Sequence, residues 1–235
     1  SNIYYFWIPY SMPQDLELIG IPDDGSFIYG PPENEQEIII PYYQISKYPV
    51  TNGQYLNYLN KAYEDTLINW TGYWVEGNCT SENIGLKQYY DLESPNFSDE
   101  NIGKIYFNDE LNIFELEDDE FLNHPAVFVS WCGAKAFALH HRLDLPTGIE
   151  WEKAARGVDG RPWHWGFSGE GDLDTVNHYT NRLNSYDPWD CVGCSGGTTP
   201  VGFYNGINNL NEGFPYYGST VYNSLSPYGI YDMCG

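Results

Sequence analysis

Basic residues are scarce in this sequence. Lysine and arginine together number 10, against 33 aspartates and glutamates, which gives a formal net charge of −23 at pH 7. Such a charge repels nucleic acid and anionic lipid, so we expect neither as a partner. The same excess of carboxylates is typical of a protein that stays soluble outside the cell and binds hard cations such as Ca²⁺.

Long hydrophobic runs are also missing. No stretch approaches the roughly 18 consecutive apolar residues of a membrane-spanning helix, so we expect no membrane span. The first residues do not combine a basic start with an apolar stretch, so we expect any signal peptide to have been removed or to lie outside this sequence.

Familiar catalytic motifs are absent as well. None of the five histidines stands in a His-Glu-x-x-His arrangement, and there is no glycine-rich phosphate loop or nucleophile elbow. His140 and His141 are neighbours on a predicted helix and are expected to face different ways. His164 lies between two tryptophans and is expected to be a packing residue rather than a general base.

The cysteines are few and unevenly placed; they are Cys79, Cys132, Cys191, Cys194 and Cys234. Cys191 and Cys194 have the spacing of a zinc knuckle or a redox pair, but no second ligand pair is visible. A tight loop disulfide or two free thiols remain, and we favour the disulfide because the turn is glycine-rich and the composition indicates an oxidising compartment. Cys132, on a predicted helix, is expected to be a buried free thiol.

Three triplets match the N-glycosylation sequon. They begin at Asn69, Asn78 and Asn96. Such triplets also arise by chance, so the sequence alone assigns no glycan to them.

Tyrosine is unusually frequent. The chain has 22 tyrosines and 8 tryptophans but only 2 methionines. Because tyrosine pairs an apolar ring with a polar tip, it suits half-buried surfaces and recognition surfaces. Filler in a loop-rich domain and a ligand-recognition surface both remain open.

Three helices can be predicted from local signals. Thr51 can cap a helix that runs to about Ala62, and Ser130 can cap a second. Thr147 and Glu150 form the pattern of a capping box for a third helix, which should end near Gly157. Residues 37–41 and 126–129 are predicted strands. Residues 76–123 show no clear period and are interpreted as an insertion at the surface.

Seven motifs follow one another along nearly the whole chain. They are IPDDGSFIYG at 21–30, YQISKYPVTNGQY at 43–55, HPAVFVSW at 124–131, LPTGIEWEKAARG at 145–157, WHWG at 163–166, TPVG at 199–202 and YGIYDMCG at 228–235. In this order they resemble the formylglycine-generating enzyme family, also called the sulfatase-modifying-factor family. The sequence departs from the family pattern at Asp144, where an arginine is usual, and at Gly148 and Ile149, which replace a more acidic pair.

The resemblance implies an α+β domain of the family's variant of the C-type-lectin fold. We expect few helices, small antiparallel sheets and much irregular chain, with Trp and Tyr clusters around the second and third helices. Residues 1–17 would be a lead-in, and residues 18–235 a domain whose C-terminal segment is missing. We therefore expect a further segment, from the same chain or a neighbour, to pair with sheet edges left open at Gly235.

The resemblance also implies a structural calcium site. The side chain of Asn181, the carbonyl of Arg182, the carboxylate of Asp187 and the carbonyl of Trp189 stand where the family has its ligands. Ca²⁺ takes six to eight oxygen ligands of these kinds. The alternative is a loop in which the Asn and Asp side chains only cap their own backbone.

Two functions of different class follow from the resemblance. The family's enzyme oxidises a cysteine of sulfatases to formylglycine with oxygen and a copper ion held by two cysteines, which would lie beyond Gly235. Thiolates select Cu(I), but Cys191 and Cys194 stand in a different loop. Asp144, the tyrosine content and the net charge favour the other function, a non-catalytic extracellular or cell-surface protein. Such a protein would use this scaffold to bind a protein or glycan ligand or neighbouring subunits.

Overall fold

The described part of the chain comprises residues 16–80, 83–91, 103–166, 179, 198–209 and 218–233 of the computed structural model. Its α helices are α1 (Asn52–Glu64), α2 (Trp131–His140) and α3 (Gly148–Arg156). Its strands are β1 (Leu18–Ile21), β2 (Phe27–Tyr29), β3 (Gln36–Ile38), β4 (Tyr43–Ser46), β5 (Ile68–Trp70), β6 (Trp74–Thr80), β7 (Asn83–Asp91), β8 (Ile105–Asn108) and β9 (Ile113–Leu116).

Every sheet of the described residues is small and antiparallel. β2 pairs with β3, β5–β6–β7 form a three-stranded meander, and β8 pairs with β9. Only β1 and β4 pair across intervening strands. The predicted α+β architecture, with few helices, small antiparallel sheets and much irregular chain, is confirmed.

The predicted helix starts are confirmed, because each is fixed by bonds within four residues. Thr51 and Gln54 form a capping box at α1, and the hydroxyl of Ser130 accepts a bond from the N–H of Gly133 at the start of α2. Thr147 and Glu150 form the capping box of α3. This helix ends at Gly157, whose φ of 68° lies in the region that favours glycine.

The strand predictions are less accurate. The strand expected at 37–41 covers Gln36–Ile38 instead, and Ile39 beyond it is 68% exposed. Residues 126–129 do not form a strand; Val129 makes only an isolated bridge to Tyr90. Phe128 has a φ of 59°, and this left-handed conformation interrupts any extended run.

The sequence predicted that residues 76–123 are an insertion at the surface, and this prediction is wrong. Their described part contains β7, β8, β9 and most of β6, and it contributes Tyr89, Tyr90, Ile105 and Phe114 to the core. The pairing of β6 with β7 shifts register twice. Such irregularities disturb the alternation of apolar and polar residues, which explains why no strand period is visible in the sequence.

The larger core lies between α1, α2 and the strands around them. Tyr55 packs against Tyr58, Tyr90 and Phe137 with ring centroids 5.5 to 5.9 Å apart. This aromatic cluster therefore joins the first helix to the second, and Tyr43 and Tyr228 pack against the core at the third. Trp131 and Trp151, at 61% and 43% exposed, stay outside it.

A smaller core holds α3 in place. Ala154 and Ala155 pack with Ile21 of β1 and with Ile230 and Met233. The segment around residue 230 therefore lies beside β1 and α3. Within the described residues, no helix combines the length and apolar character needed to cross a bilayer.

Candidate functional site

The residues predicted to bind calcium, Asn181, Arg182, Asp187 and Trp189, lie outside the described residues, as do Cys191 and Cys194. Only Tyr179 is described in that stretch. Its ring stacks on Trp165 at 4.8 Å, and Trp165 stacks on Trp163 at 5.2 Å. The described residues contain no group of three or more His, Cys, Asp or Glu side chains that could hold a metal ion. The calcium site stays a prediction.

Cys132 is not a free thiol, contrary to the sequence-based expectation. Its sulfur is bonded to that of Cys79, 53 residues earlier, and the bond joins α2 to the buried face of β6. The two cysteines are too far apart in sequence for a local signal to reveal the pairing. Neither sulfur is a thiolate while the bond persists, so this pair offers no copper ligands.

Among the described histidines, His164 is a packing residue, as expected, whereas His140 and His141 differ from expectation. His164 is 1% exposed, and its Nε2 lies 2.8 Å from the hydroxyl of Ser224. Burial lowers its pKa to about 4, so the ring is neutral at physiological pH. His140 and His141 do not face apart, because α2 ends between them and their ring centroids are 4.9 Å apart.

An apolar groove of about 520 Å³ lies between β4, α2, α3 and the segment around residue 230. This volume falls within the range of small ligand sites. The groove brings together residues that are far apart in sequence, and no local sequence pattern predicts it. Its apolar lining includes Ile45, Val50, Val129, Ala134, Phe137, Ala138, Leu143, Leu145, Trp151, Ile230 and Met233.

Two carboxylates at the groove are engaged in local bonds. Asp144 forms an ion pair with Lys135 and accepts a bond from the N–H of Leu145. These bonds, that from Lys135 first, hold the pKa of Asp144 below its ordinary value. Glu150 accepts the N–H of Thr147 at 2.7 Å. Asp144 therefore serves the turn between α2 and α3, although it departs from the family pattern.

A third carboxylate, Asp232, is partly buried and lines the groove. It accepts the N–H of Gly202 at 2.6 Å. Burial raises the pKa of Asp232 to about 6, although the bond from Gly202 opposes the shift. A group that titrates near 6 beside an apolar groove can change its charge under mildly acidic conditions.

The wall beside Asp232 is a pair of stacked tyrosines. The rings of Tyr48 and Tyr231 lie 5.4 Å apart with an interplanar angle of 9°. The N–H of Tyr231 donates to the carbonyl of Lys47 at 2.9 Å, which ties the segment around residue 230 to the end of β4. The groove wall is therefore held in place by neighbouring side-chain and backbone contacts.

The fold and these motifs agree with comparisons to known proteins. Residues 14–235 match the family described as "Sulfatase-modifying factor enzyme 1-like domain". The chain therefore belongs to the sulfatase-modifying-factor family, which includes the formylglycine-generating enzymes.

Its curated relatives differ in what is known of them. The chain is 29% identical over 180 residues to YfmG of Bacillus subtilis, an uncharacterized protein. The aligned region covers 68% of this chain and 30% of YfmG. It is 34% identical over 117 residues to the formylglycine-generating enzyme of Thermomonospora curvata. That alignment covers 48% of this chain and 31% of the enzyme. The inactive C-alpha-formylglycine-generating enzyme 2 of Bos taurus is 32% identical to the chain over 120 residues. That alignment covers 49% of this chain and 32% of the bovine protein. The chain thus matches about a third of the length of each relative.

Proposed function

We propose that this protein is a non-catalytic extracellular or cell-surface binding protein, and that the groove between β4, α2 and α3 holds its ligand. The groove is the observation that carries the proposal: it is ligand-sized and mostly apolar, and a stacked tyrosine pair stands beside it. Clefts of this kind, with few polar groups, are the usual form of small binding sites.

The ligand class follows from shape and charge. We propose an extended peptide segment that places apolar side chains in the groove and carries a basic residue beside them. The net charge of −23 favours a cationic partner through long-range attraction. The exposed ring of Trp151 at the rim supplies the aromatic contact area common at protein interfaces.

Two further observations support the location and the lack of catalysis. The Cys79–Cys132 bond is of the kind that persists in oxidising compartments. A relative of similar identity is named as inactive, so the scaffold is not tied to an activity. Residues 18–235 would form the binding domain, and Ca²⁺ held by Asn181, Arg182, Asp187 and Trp189 would order the loop that contains them.

A second function is favoured by other relatives. Proteins named formylglycine-generating enzyme match this chain in Thermomonospora curvata and, at 53% identity over 45 residues, in Streptomyces coelicolor. Under this alternative the chain would be part of a copper-dependent oxidase. Copper would be held by cysteines other than Cys79 and Cys132.

The groove can be tested with Nile red, a neutral apolar dye that the negative charge does not repel. Ala134→Trp fills the groove, whereas Leu139→Trp adds the same ring to an exposed position of α2 that does not line it. We expect Ala134→Trp to bind the dye at least tenfold more weakly than the wild type, and Leu139→Trp to bind it normally. Equal binding by all three proteins would rule out the groove as the site.

The ligand class and the alternative need separate measurements. Peptides selected on the immobilised protein from a random library should be apolar with a basic residue and should displace the dye. For the alternative, the protein loaded with Cu(I) would be mixed with a cysteine-containing sulfatase peptide under oxygen. An aldehyde detected on that peptide with a hydrazide reagent would contradict the non-catalytic proposal.

A further inference from the structure

Two of the glycosylation sequons fall on one sheet. Asn69, followed by Trp70 and Thr71, is in β5, and Asn78, followed by Cys79 and Thr80, is in β6. The third, at Asn96, lies outside the described residues. The proposed binding function uses neither Asn69 nor Asn78.

The pairing of β5 with β6 places both asparagines on the same face. Asn69 lies directly opposite Glu76, and residues opposite one another point to the same side of a sheet. Asn78 is two positions beyond Glu76 on β6, so it also points to that side. Both asparagines are exposed.

The opposite face of the same strands is buried. Val75 and Cys79 are 0% and 1% exposed, and the Cys79–Cys132 bond fixes this face to α2. A group added to Asn69 or Asn78 would therefore extend into solvent and away from the core. It would also leave the groove open, since the groove is lined by α2 and α3 rather than by β5 or β6.

We propose that Asn69 and Asn78 are N-glycosylation sites, and that the outer face of β5–β6–β7 is a glycan-bearing surface. The donor is an oligosaccharide carried on a lipid pyrophosphate. The side-chain Nδ2 forms a bond to the anomeric carbon of the sugar as the bond from that carbon to the pyrophosphate oxygen breaks. The amide loses one proton to a base of the transferase, and the lipid pyrophosphate leaves.

Three features carry this proposal together. The threonine at the second position after each asparagine meets the acceptor requirement. Both side chains are exposed on one face, where a bulky polar group is compatible with the fold. The disulfide beneath that face belongs to the oxidising compartments in which such transfer takes place.

The test is secretion of the chain from a eukaryotic cell, followed by electrophoresis before and after an amidase that removes N-glycans. Asn69→Gln and Asn78→Gln should each remove one mobility step, and the double variant should lose both. Thr71→Ser keeps a hydroxyl and should keep the step at Asn69. Asn57→Gln makes the same change at an exposed asparagine of α1 outside any sequon, and should leave the pattern unchanged.

A second measurement does not depend on the variants folding. The amidase converts each glycan-bearing asparagine to aspartate, and peptide mass spectrometry of the treated wild type should find this conversion at Asn69 and Asn78. An asparagine that stays unconverted is not a site, and a glycan found only elsewhere would overturn the proposal. Neither result bears on dye or peptide binding in the groove.

Discussion

Lys153 of α3 and Asp24, which follows β1, form an ion pair. The lysine Nζ lies 3.0 Å from the aspartate Oδ1, and the lysine side chain is 0% exposed. The same Nζ donates to the carbonyl of Pro22 at 2.8 Å, and the hydroxyl of Tyr228 donates to Asp24 at 2.9 Å. These bonds connect α3 to the chain after β1 and to the turn before residue 230.

Substituting Asp24 and substituting Lys153 should lower the free energy of unfolding by unequal amounts. Asp24→Asn leaves the buried Lys153 charge without its carboxylate and should cost about 3–5 kcal/mol in free energy of unfolding. Lys153→Met leaves Asp24, which is 32% exposed and can be hydrated, so it should cost less. Urea denaturation measures both changes; a larger loss for Lys153→Met would contradict this account.

The same pair predicts loss of stability in acid. Burial alone would raise the pKa of Asp24, but hydrogen bonds from Lys153 and Tyr228 hold it below the ordinary value of 3.8. A lowered pKa contributes stability that is present above the unfolded pKa and is lost as the pH falls through the folded one. Wild type should therefore lose stability below about pH 4 more steeply than Asp24→Asn. Equal acid slopes would argue against a stabilising role of the carboxylate.

The effect of Asp232 on stability should change with pH in the direction opposite to that of Asp24. Its pKa is raised from 3.8 to about 6, so the folded state binds the proton more tightly, and this contribution weakens as the pH rises from about 4 to about 6. Asp232→Asn can still accept the N–H of Gly202 and should stabilise the fold at pH 7 by at most about 3 kcal/mol. Melting curves between pH 4 and 7 measure this.

Asp109→Asn is the matched control for Asp232→Asn, because it removes one negative charge from an exposed turn between β8 and β9. It should leave the pH dependence as in wild type. If the stability of Asp232→Asn changed with pH between 4 and 6 as steeply as that of the wild type, the raised pKa of Asp232 would be wrong.

The disulfide should account for a large part of the stability. Joining residues 53 apart reduces the entropy of the unfolded chain, which corresponds to about 4 kcal/mol in the chain-entropy treatment and often to less in practice. The double variant Cys79→Ala with Cys132→Ala should unfold at lower urea concentration. Reductant should lower the wild-type midpoint towards that of the variant and change the variant little. A wild-type midpoint indifferent to reductant would show that this bond does not stabilise the domain.

Calcium should stabilise the protein if the loop around Asp187 binds it. A ligand that binds only the folded state adds roughly 2.7 kcal/mol when its free concentration is a hundredfold above the dissociation constant. Chelation should lower the melting temperature, and added calcium should restore it. Asp187→Asn keeps the size of the side chain but removes its charge, and should weaken the response. Identical melting of wild type and variant, with and without chelator, would refute the calcium assignment.

The sequence by itself determined the family and the helix starts. Thr51 with Gln54, and Thr147 with Glu150, form capping boxes within four residues, so their geometry depends on local chain alone. The ordered motifs indicated the family because each stands in its expected place along nearly the whole chain. The calcium residues were also assigned from this order, and they remain a prediction.

Only the tertiary structure decided which distant residues meet. Cys132 and Cys79 are joined across 53 residues, and strands within 76–123 enter the core despite their irregular period because their buried faces pack against α1 and α2. The groove draws on Ile45, Phe137 and Ile230, which no local pattern connects. Such contacts depend on how separate elements pack, since burial and close approach are properties of the assembled chain rather than of any short segment.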